Sequence, residues 1–422
     1  MNVHASALAE AHLPDEQTTA FAREAIEDLS RQPKKLSPKY FYDATGSELF
    51  EAITRLPEYY PTRTELAILK ERGGEIAKII PEHAALVEFG AGATTKVRLL
   101  LGHCKFAAYV PVDISGDFLK AQANGLKRDF PSLGIYPVAA DFTTPFELPR
   151  QVASMPKVGF FPGSTIGNFE PQEAQAFLKS ARKILGKGAQ MIIGADLEKE
   201  ERVLHDAYND AAGVTARFNL NVLVRINREL GGNFDLSAFT HRAIYNRERH
   251  RIEMHLISRK SQTVRLLGTS FSFKPGESIH TENSYKYSLE RFAALAQGAG
   301  SRVRESWTDA AKMFSVHALE VAEKRRGSMP RLLFRLRSQR HRLPDRHHDH
   351  DRGRRDRQPE RREVGGKPPQ RQQQHDADAM RELEEAADRM LEQDGADQEH
   401  QGPADRAHDR AHVGVSGRML QH

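Results

Sequence analysis

The chain has 422 residues, 39% hydrophobic and 28% charged, with a formal net charge of +5. That length can bury a large core, but a mean hydropathy of −0.60 is low for it, so a globular part with a polar excess is expected. Scattered basic residues without stacking aromatics argue against a nucleic-acid partner, and the lone Cys104 excludes an internal disulfide framework and fits a reducing compartment.

At the N-terminus no apolar core of a signal peptide occurs, and no run reaches the roughly 18 residues of a membrane span. Cytoplasmic residence without membrane contact is therefore expected. Residues up to about Pro33 alternate Ala and Leu with Glu, Asp and Arg and read as helix, and Pro33 to Pro38 form a basic connector. Then come Tyr40-Phe41-Tyr42-Asp43 through Phe50 and Leu56-Pro57-Glu58-Tyr59-Tyr60 through Glu65, dense in aromatics and interrupted by prolines. One reading is plain packing of an N-terminal cap onto a sheet. The other is a cap that closes over a cofactor and offers phenol hydroxyls to a small polar substrate.

Thr64 to Ile80 predicts a helix leading into Leu86-Val87-Glu88-Phe89-Gly90-Ala91-Gly92, an apolar run that breaks into glycines. A second run, Tyr109 to Asp113, ends in an acid able to accept both hydroxyls of a ribose. The third glycine of a dinucleotide fingerprint is missing, as is the Gly-Lys-Ser/Thr ending of a phosphate loop. A ligand without phosphate, such as S-adenosylmethionine, is favoured, with Glu88 placed for its amino group. An ordinary glycine turn closing a strand is the alternative.

A helix over about 117–128 precedes Ile135 to Val138 and Ala140-Asp141-Phe142, where an acid beside an aromatic suits an adenine. Val158 to Phe161 predicts a strand emptying into Pro162-Gly163-Ser164-Thr165-Ile166-Gly167-Asn168-Phe169, polar and glycine-rich where ligands bind in open sheets. A helix over 171–185 and a strand over 189–196 complete the alternation of a mostly parallel sheet. Residues 199–239 read as helical and polar, with Tyr208 to Thr215 in their middle. Strands over 252–258, 262–267 and 269–273 follow, then a polar stretch with Glu277, His280, Glu282 and Asn283, and a helix over 285–295. The last strand, Met313 to Leu319, is expected at the sheet edge or inserted antiparallel. His255, His280 and His317 lack the spacing of a zinc site and read as ordinary polar residues, so no metal is expected. From about Ala322 the composition shifts to Arg, Asp, His, Gln and Gly, and His347, His348 and His350 read as compositional accident. Residues 322–422 are expected to be a low-complexity charged tail, disordered or translated out of register from a GC-rich region.

Over about residues 12–320 these motifs closely resemble the histidine-specific N-alpha-methyltransferases that begin ergothioneine biosynthesis. The resemblance rests on Phe41 to Phe50, Leu56 to Glu65, the glycine-bearing strand, Gly163 to Asn168, Tyr208 to Thr215, Arg251 to Met254 and Glu282-Asn283-Ser284. It implies an α/β fold, a Rossmann-like class I methyltransferase domain with a second, smaller substrate-binding domain. Residues 12–60 and 197–285 would build the substrate-binding part, 61–196 the cofactor-binding core, and 286–320 the return to that core. By motif, Glu88, Gly90, Asp113, Asp141 and Phe142 would lie at S-adenosylmethionine. Tyr59, Asn168 and Tyr208 match positions gripping the amino and carboxylate groups of free L-histidine. Tyr42, Met254, Glu282 and Ser284 match those around its imidazole, and Thr215 lies near the amino end. Tyr42, Tyr59 and Asn168 would orient the reacting amine. A monomer is expected, and two alternatives stay open: a methyltransferase of the same fold acting on another amino acid or small amine, and an inactive homologue.

Overall fold

The computed structural model describes residues 16–321; the expected tail and its histidines lie outside the described residues. Helix α1 (Glu16–Leu29) leads to the two-residue strand β1 (Lys34–Lys35), a 3-10 turn over Pro38–Phe41, and helices α2 (Ala44–Thr54) and α3 (Tyr60–Ala77). A doubly wound unit follows: β2 (Ala85–Phe89), α4 (Thr95–His103), β3 (Ala108–Asp113), α5 (Gly116–Asp129), β4 (Gly134–Ile135), β5 (Val138–Ala139), β6 (Lys157–Phe161), α6 (Pro171–Leu185) and β7 (Gln190–Asp196). Next come α7 (Glu201–Tyr208), α8 (Val214–Leu230), β8 (Phe239–Asn246), β9 (Arg251–Ser258), the hairpin β10 (Gln262–Leu266) and β11 (Thr269–Phe273), and β12 (Ser278–Tyr285). Helix α9 (Leu289–Gly298) and strands β13 (Ser301–Thr308) and β14 (Phe314–Val321) end the described chain.

The main sheet runs β13-β14-β7-β6-β2-β3-β4, with β5 also on β3. The pairs β7/β6, β6/β2, β2/β3 and β3/β4 are parallel, whereas β14 enters antiparallel to β7 and β13 antiparallel to β14. Every residue of β2 is buried, because helices cover both faces of a parallel sheet and water reaches neither side. One covering layer is aromatic: Phe161, Phe169 and Phe142 gather around Phe177 of α6 with ring centres 4.4 to 5.8 Å apart. A second sheet, β1-β12-β9-β8, stands apart from the first.

Several elements differ from expectation or add to it. The run Ile135 to Val138 is split into β4 and β5, because Pro137 has no N–H to donate to the β3 ladder. Strand β14 is inserted antiparallel, one of its two expected placements, and β13, not expected as a strand, forms the edge. Strand β13 escapes a pattern search because most of its length is open to water and carries Arg302, Arg304 and Glu305 where an apolar alternation would show. Helix α9 starts later than Tyr285, which closes β12, and is capped by the Ser288 hydroxyl accepting from Arg291 N–H at 3.2 Å.

Candidate active site

The expected cofactor residues gather at the carboxyl ends of β2 and β3. Gly90 turns the chain off β2 with φ +71°, a left-handed conformation that suits glycine, and its N–H donates to Val112 O at 2.8 Å. A Cβ there would stand 3.1 Å from the ring of Phe142, so the loop after β5 lies against this turn. At Gly92 a Cβ would meet nothing within 4 Å, which leaves the turn open to a ligand. Asp113 ends β3, its carboxylate accepting from Ser115 N–H at 2.9 Å, and burial pushes its pKa up, with the neighbouring Asp141 adding to the rise. Asp141 accepts from the Thr143 N–H at 2.9 Å. Glu88 is 3% exposed and accepts from the Tyr109 hydroxyl at 2.5 Å. Burial pushes it up to about 7 against the lowering effect of that bond. Only its second oxygen remains for a ligand.

The expected substrate residues meet between the two sheets. Strand β12 runs antiparallel to β9 with Glu282 opposite Met254 and Ser284 opposite Ile252, and its register slips between His280 and Glu282. That bulge resets the alternation of faces, and Glu282, Ser284 and Met254 come to share one side. The Ser284 hydroxyl is 2.7 Å from that of Tyr208, at the end of α7. Tyr59 stands before α3, its ring centre 6.3 Å from that of Tyr208. Tyr42 packs edge-on against Phe50 at 5.6 Å and Phe218 at 5.5 Å. Asn168 closes the 3-10 turn Thr165–Asn168 beyond β6, and this turn lies so tightly on β12 that a Cβ at Gly167 would be 2.8 Å from Tyr285 O. Thr215 is 3% exposed, and its hydroxyl has no hydrogen-bond partner among the described residues.

Electrostatics follow from the crowding. Burial pushes Glu282 up to about 7, and Lys286 partly offsets it. Burial holds the phenols of Tyr59 and Tyr208 well above their ordinary pKa, with Glu282 adding to both. These phenols therefore stay neutral at any working pH.

Local structure explains why the motifs have their composition. Asp210 caps α8, its two carboxylate oxygens each accepting at 2.8 Å, from Val214 and Thr215 N–H. Asn209 clasps the backbone of Ala243 from both sides, at 3.1 and 3.0 Å, which fixes Tyr208 against β8. Asp43 caps α2 through Gly46 N–H at 2.7 Å and accepts from Asn221 at 2.8 Å, which anchors Tyr42.

Pattern reading did not single out Phe50 and Phe218 as wall residues. It also missed two buried polar groups behind the site. Glu65 accepts from Gly163 N–H at 2.9 Å and pairs with Lys96 at 2.7 Å, bracing the turn that carries Asn168. Asp196, at the end of β7, pairs with Lys199 at 2.7 Å and Lys286 at 2.8 Å and accepts from the Tyr60 hydroxyl at 2.7 Å. Burial opposes its ionisation, but the two lysines outweigh it and hold the carboxyl below the usual range. The sequence signal for Asp196 was its place at the end of an apolar strand; for Lys286 it was adjacency to Ser284.

Comparison with known proteins gives the family. Residues 21–321 match the family described as "Histidine-specific methyltransferase, SAM-dependent". The chain is 40% identical over 312 residues to "Histidine N-alpha-methyltransferase" of Mycolicibacterium smegmatis, covering 72% of this chain and 95% of that protein. The protein of the same name from Mycobacterium tuberculosis is 40% identical over 304 residues, covering 70% and 94%. "Ergothioneine biosynthesis protein 1" of Neurospora crassa is 30% identical over 299 residues, which are 65% of this chain and 32% of that protein.

Proposed function

This chain belongs to the histidine-specific, S-adenosylmethionine-dependent methyltransferases, and from that premise we infer how its residues divide the methylation of the α-amino group of free L-histidine. It is an L-histidine N-alpha-methyltransferase, acting on the route through hercynine to ergothioneine.

The residues at the ends of β2, β3 and β5 fit S-adenosylmethionine. The left-handed turn at Gly90 and the open space at Gly92 leave room for a close approach, and Asp113 offers an acceptor for ribose hydroxyls. We assign Gly90, Asp113, Asp141 and Phe142 to hold it, with Glu88 contributing its free oxygen. When bound, this cofactor supplies a methyl group on a positively charged sulfur, open to an amine lone pair.

The chain's own work is to bring that lone pair into line. A free amino acid's α-amino group keeps a small neutral fraction at cellular pH, a form favoured beside the positive sulfonium, and its proton passes to water, so no strong base is required. Asn168, Tyr42 and Tyr59 orient the amine, and orientation alone can carry much of the rate. Their neutrality matters, since the nitrogen gains methyls and loses donors through three rounds. Thr215, whose hydroxyl has no partner among the described residues, addresses the carboxylate of the amino acid, and Tyr208 walls that end of the pocket while its hydroxyl bonds to Ser284. Glu282 and Ser284 take the two ring nitrogens, with Met254 as the apolar floor. Residues 12–60 and 197–285 then form the substrate-binding part, and 61–196 with 286–320 the cofactor-binding core.

The observation that carries this division is the cluster of Glu282, Ser284, Tyr208 and Met254 on one side of β12 and β9. Incubating the protein with S-adenosylmethionine and each free amino acid, and identifying products by mass, tests it. Histidine alone should gain three methyls; a profile indifferent to the ring would contradict the pocket. A monomer is proposed, and sedimentation checks it. Among the described residues no helix is long and apolar enough to cross a membrane. The single cysteine and a free amino acid as substrate support cytoplasmic residence.

A further inference from the structure

The Lys286 ammonium lies just beyond β12 and is fully enclosed, its side chain 0% exposed. An ammonium carries three N–H donors and no acceptor. All three are placed: on the Tyr208 hydroxyl at 2.9 Å, on the Ser284 hydroxyl at 2.8 Å, and on Asp196 Oδ2 at 2.8 Å. Each hydroxyl must therefore receive from Lys286 and turn its own hydrogen elsewhere. The two hydroxyls are 2.7 Å apart, so one hydrogen closes the contact between them and the other is left over. The phenol is the more acidic and the better donor across that contact, which leaves the Ser284 hydrogen for the pocket.

We propose that Lys286 is a positioning residue that locks Ser284 as a hydrogen-bond donor, so that the site reads an unprotonated nitrogen on the substrate ring while Glu282, on the same side of β12, accepts from the ring N–H. This rests on the assignment of Glu282 and Ser284 to the imidazole, and it adds a polarity to that pocket. A ring must then present one acceptor and one donor together, as neutral imidazole does. A site of buried polar groups rejects analogues that leave them unpaired far more strongly than shape alone can.

Two measurements test the lock. Ser284→Ala should weaken the apparent affinity for L-histidine by about tenfold, but leave that for the two pyrrolylalanines unchanged, since these keep a ring N–H and have no unprotonated nitrogen. Lys286→Met should raise the histidine KM by about tenfold in the wild-type background and less than about threefold in the Ser284→Ala background, where the steered hydrogen is gone. Lys286→Gln keeps N–H donors and should recover part of the loss, and S-adenosylmethionine affinity should hold in every variant. An equal cost of Ser284→Ala for histidine and for the pyrrolylalanines overturns the proposal, as do additive effects of the two substitutions. The pyrrolylalanine comparison decides alone if both Lys286 variants fail to fold. If Ser284→Ala leaves histidine affinity at the wild-type value, the imidazole assignment itself fails and takes the lock with it.

Discussion

Glu282, proposed to accept from the substrate ring, is a buried carboxyl whose ionisation works against the fold. Burial lifts its carboxyl from the ordinary 4.5 to about 7, so the folded state holds this proton more tightly than the unfolded chain does. The associated stability is fully present below about 4.5 and is lost as pH rises toward about 7. Glu282→Gln removes that loss, so the variant should melt above the wild type at pH values over 7, the gap closing toward the acid end; melting curves across the range check this. Asp113 is the corresponding test on the cofactor side. Asp113→Ala should weaken S-adenosylmethionine by about 1.5 to 3 kcal/mol, the scale of a hydrogen bond to a charged group, and titration calorimetry reads it directly. At this scale the acids Asp113 and Asp141 were legible at the ends of apolar runs and Asn168 in the glycine-rich turn past one, whereas Glu282, inside a polar stretch, was picked out only by the family resemblance. Lys286 was not, since a lysine beside a strand reads as a solvated residue until its three partners are seen.

The elements show where sequence patterns stop informing. Strands β2, β6 and β7 are mostly apolar and were read within a residue or so, because both faces are covered. Strand β12 gave only a polar stretch, since its bulge breaks the period of two and its pocket side carries Glu282 and Ser284. Strand β8 was hidden too, with few fully buried positions among its eight. The contact between the Asn168 turn and β12 likewise left no periodic trace, yet under the proposed assignment it would set how the amine and the ring are held relative to each other. Gly167→Ala tests that contact. With backbone only 2.8 Å from the added carbon, relief requires moving the turn or the strand. A loss of about 1 to 3 kcal/mol in stability is expected by denaturant titration, together with a lower kcat.

Across the molecule, the proposed division gives the cofactor groups to the main sheet and the ring pocket to the second, and the two sheets meet where Leu197 bridges to Tyr287 and Asp196 pairs with Lys286. The parallel character of the sheet was legible from alternating apolar and amphipathic runs, but the order of its strands was not; the antiparallel end was ambiguous because its outer strand faces water. If the division between sheets is right, the two ligands act on separable sets of groups. Full kinetics of Glu282→Ala and Asn168→Ala against free histidine, beside cofactor affinity, test this most directly. Glu282→Ala should raise the histidine KM strongly and narrow the advantage of histidine over apolar amino acids, while Asn168→Ala should lower kcat and kcat/KM together. Cofactor affinity should be nearly unchanged for Glu282→Ala. A Glu282→Ala enzyme with wild-type KM and wild-type selectivity would contradict the pocket on β12 and β9.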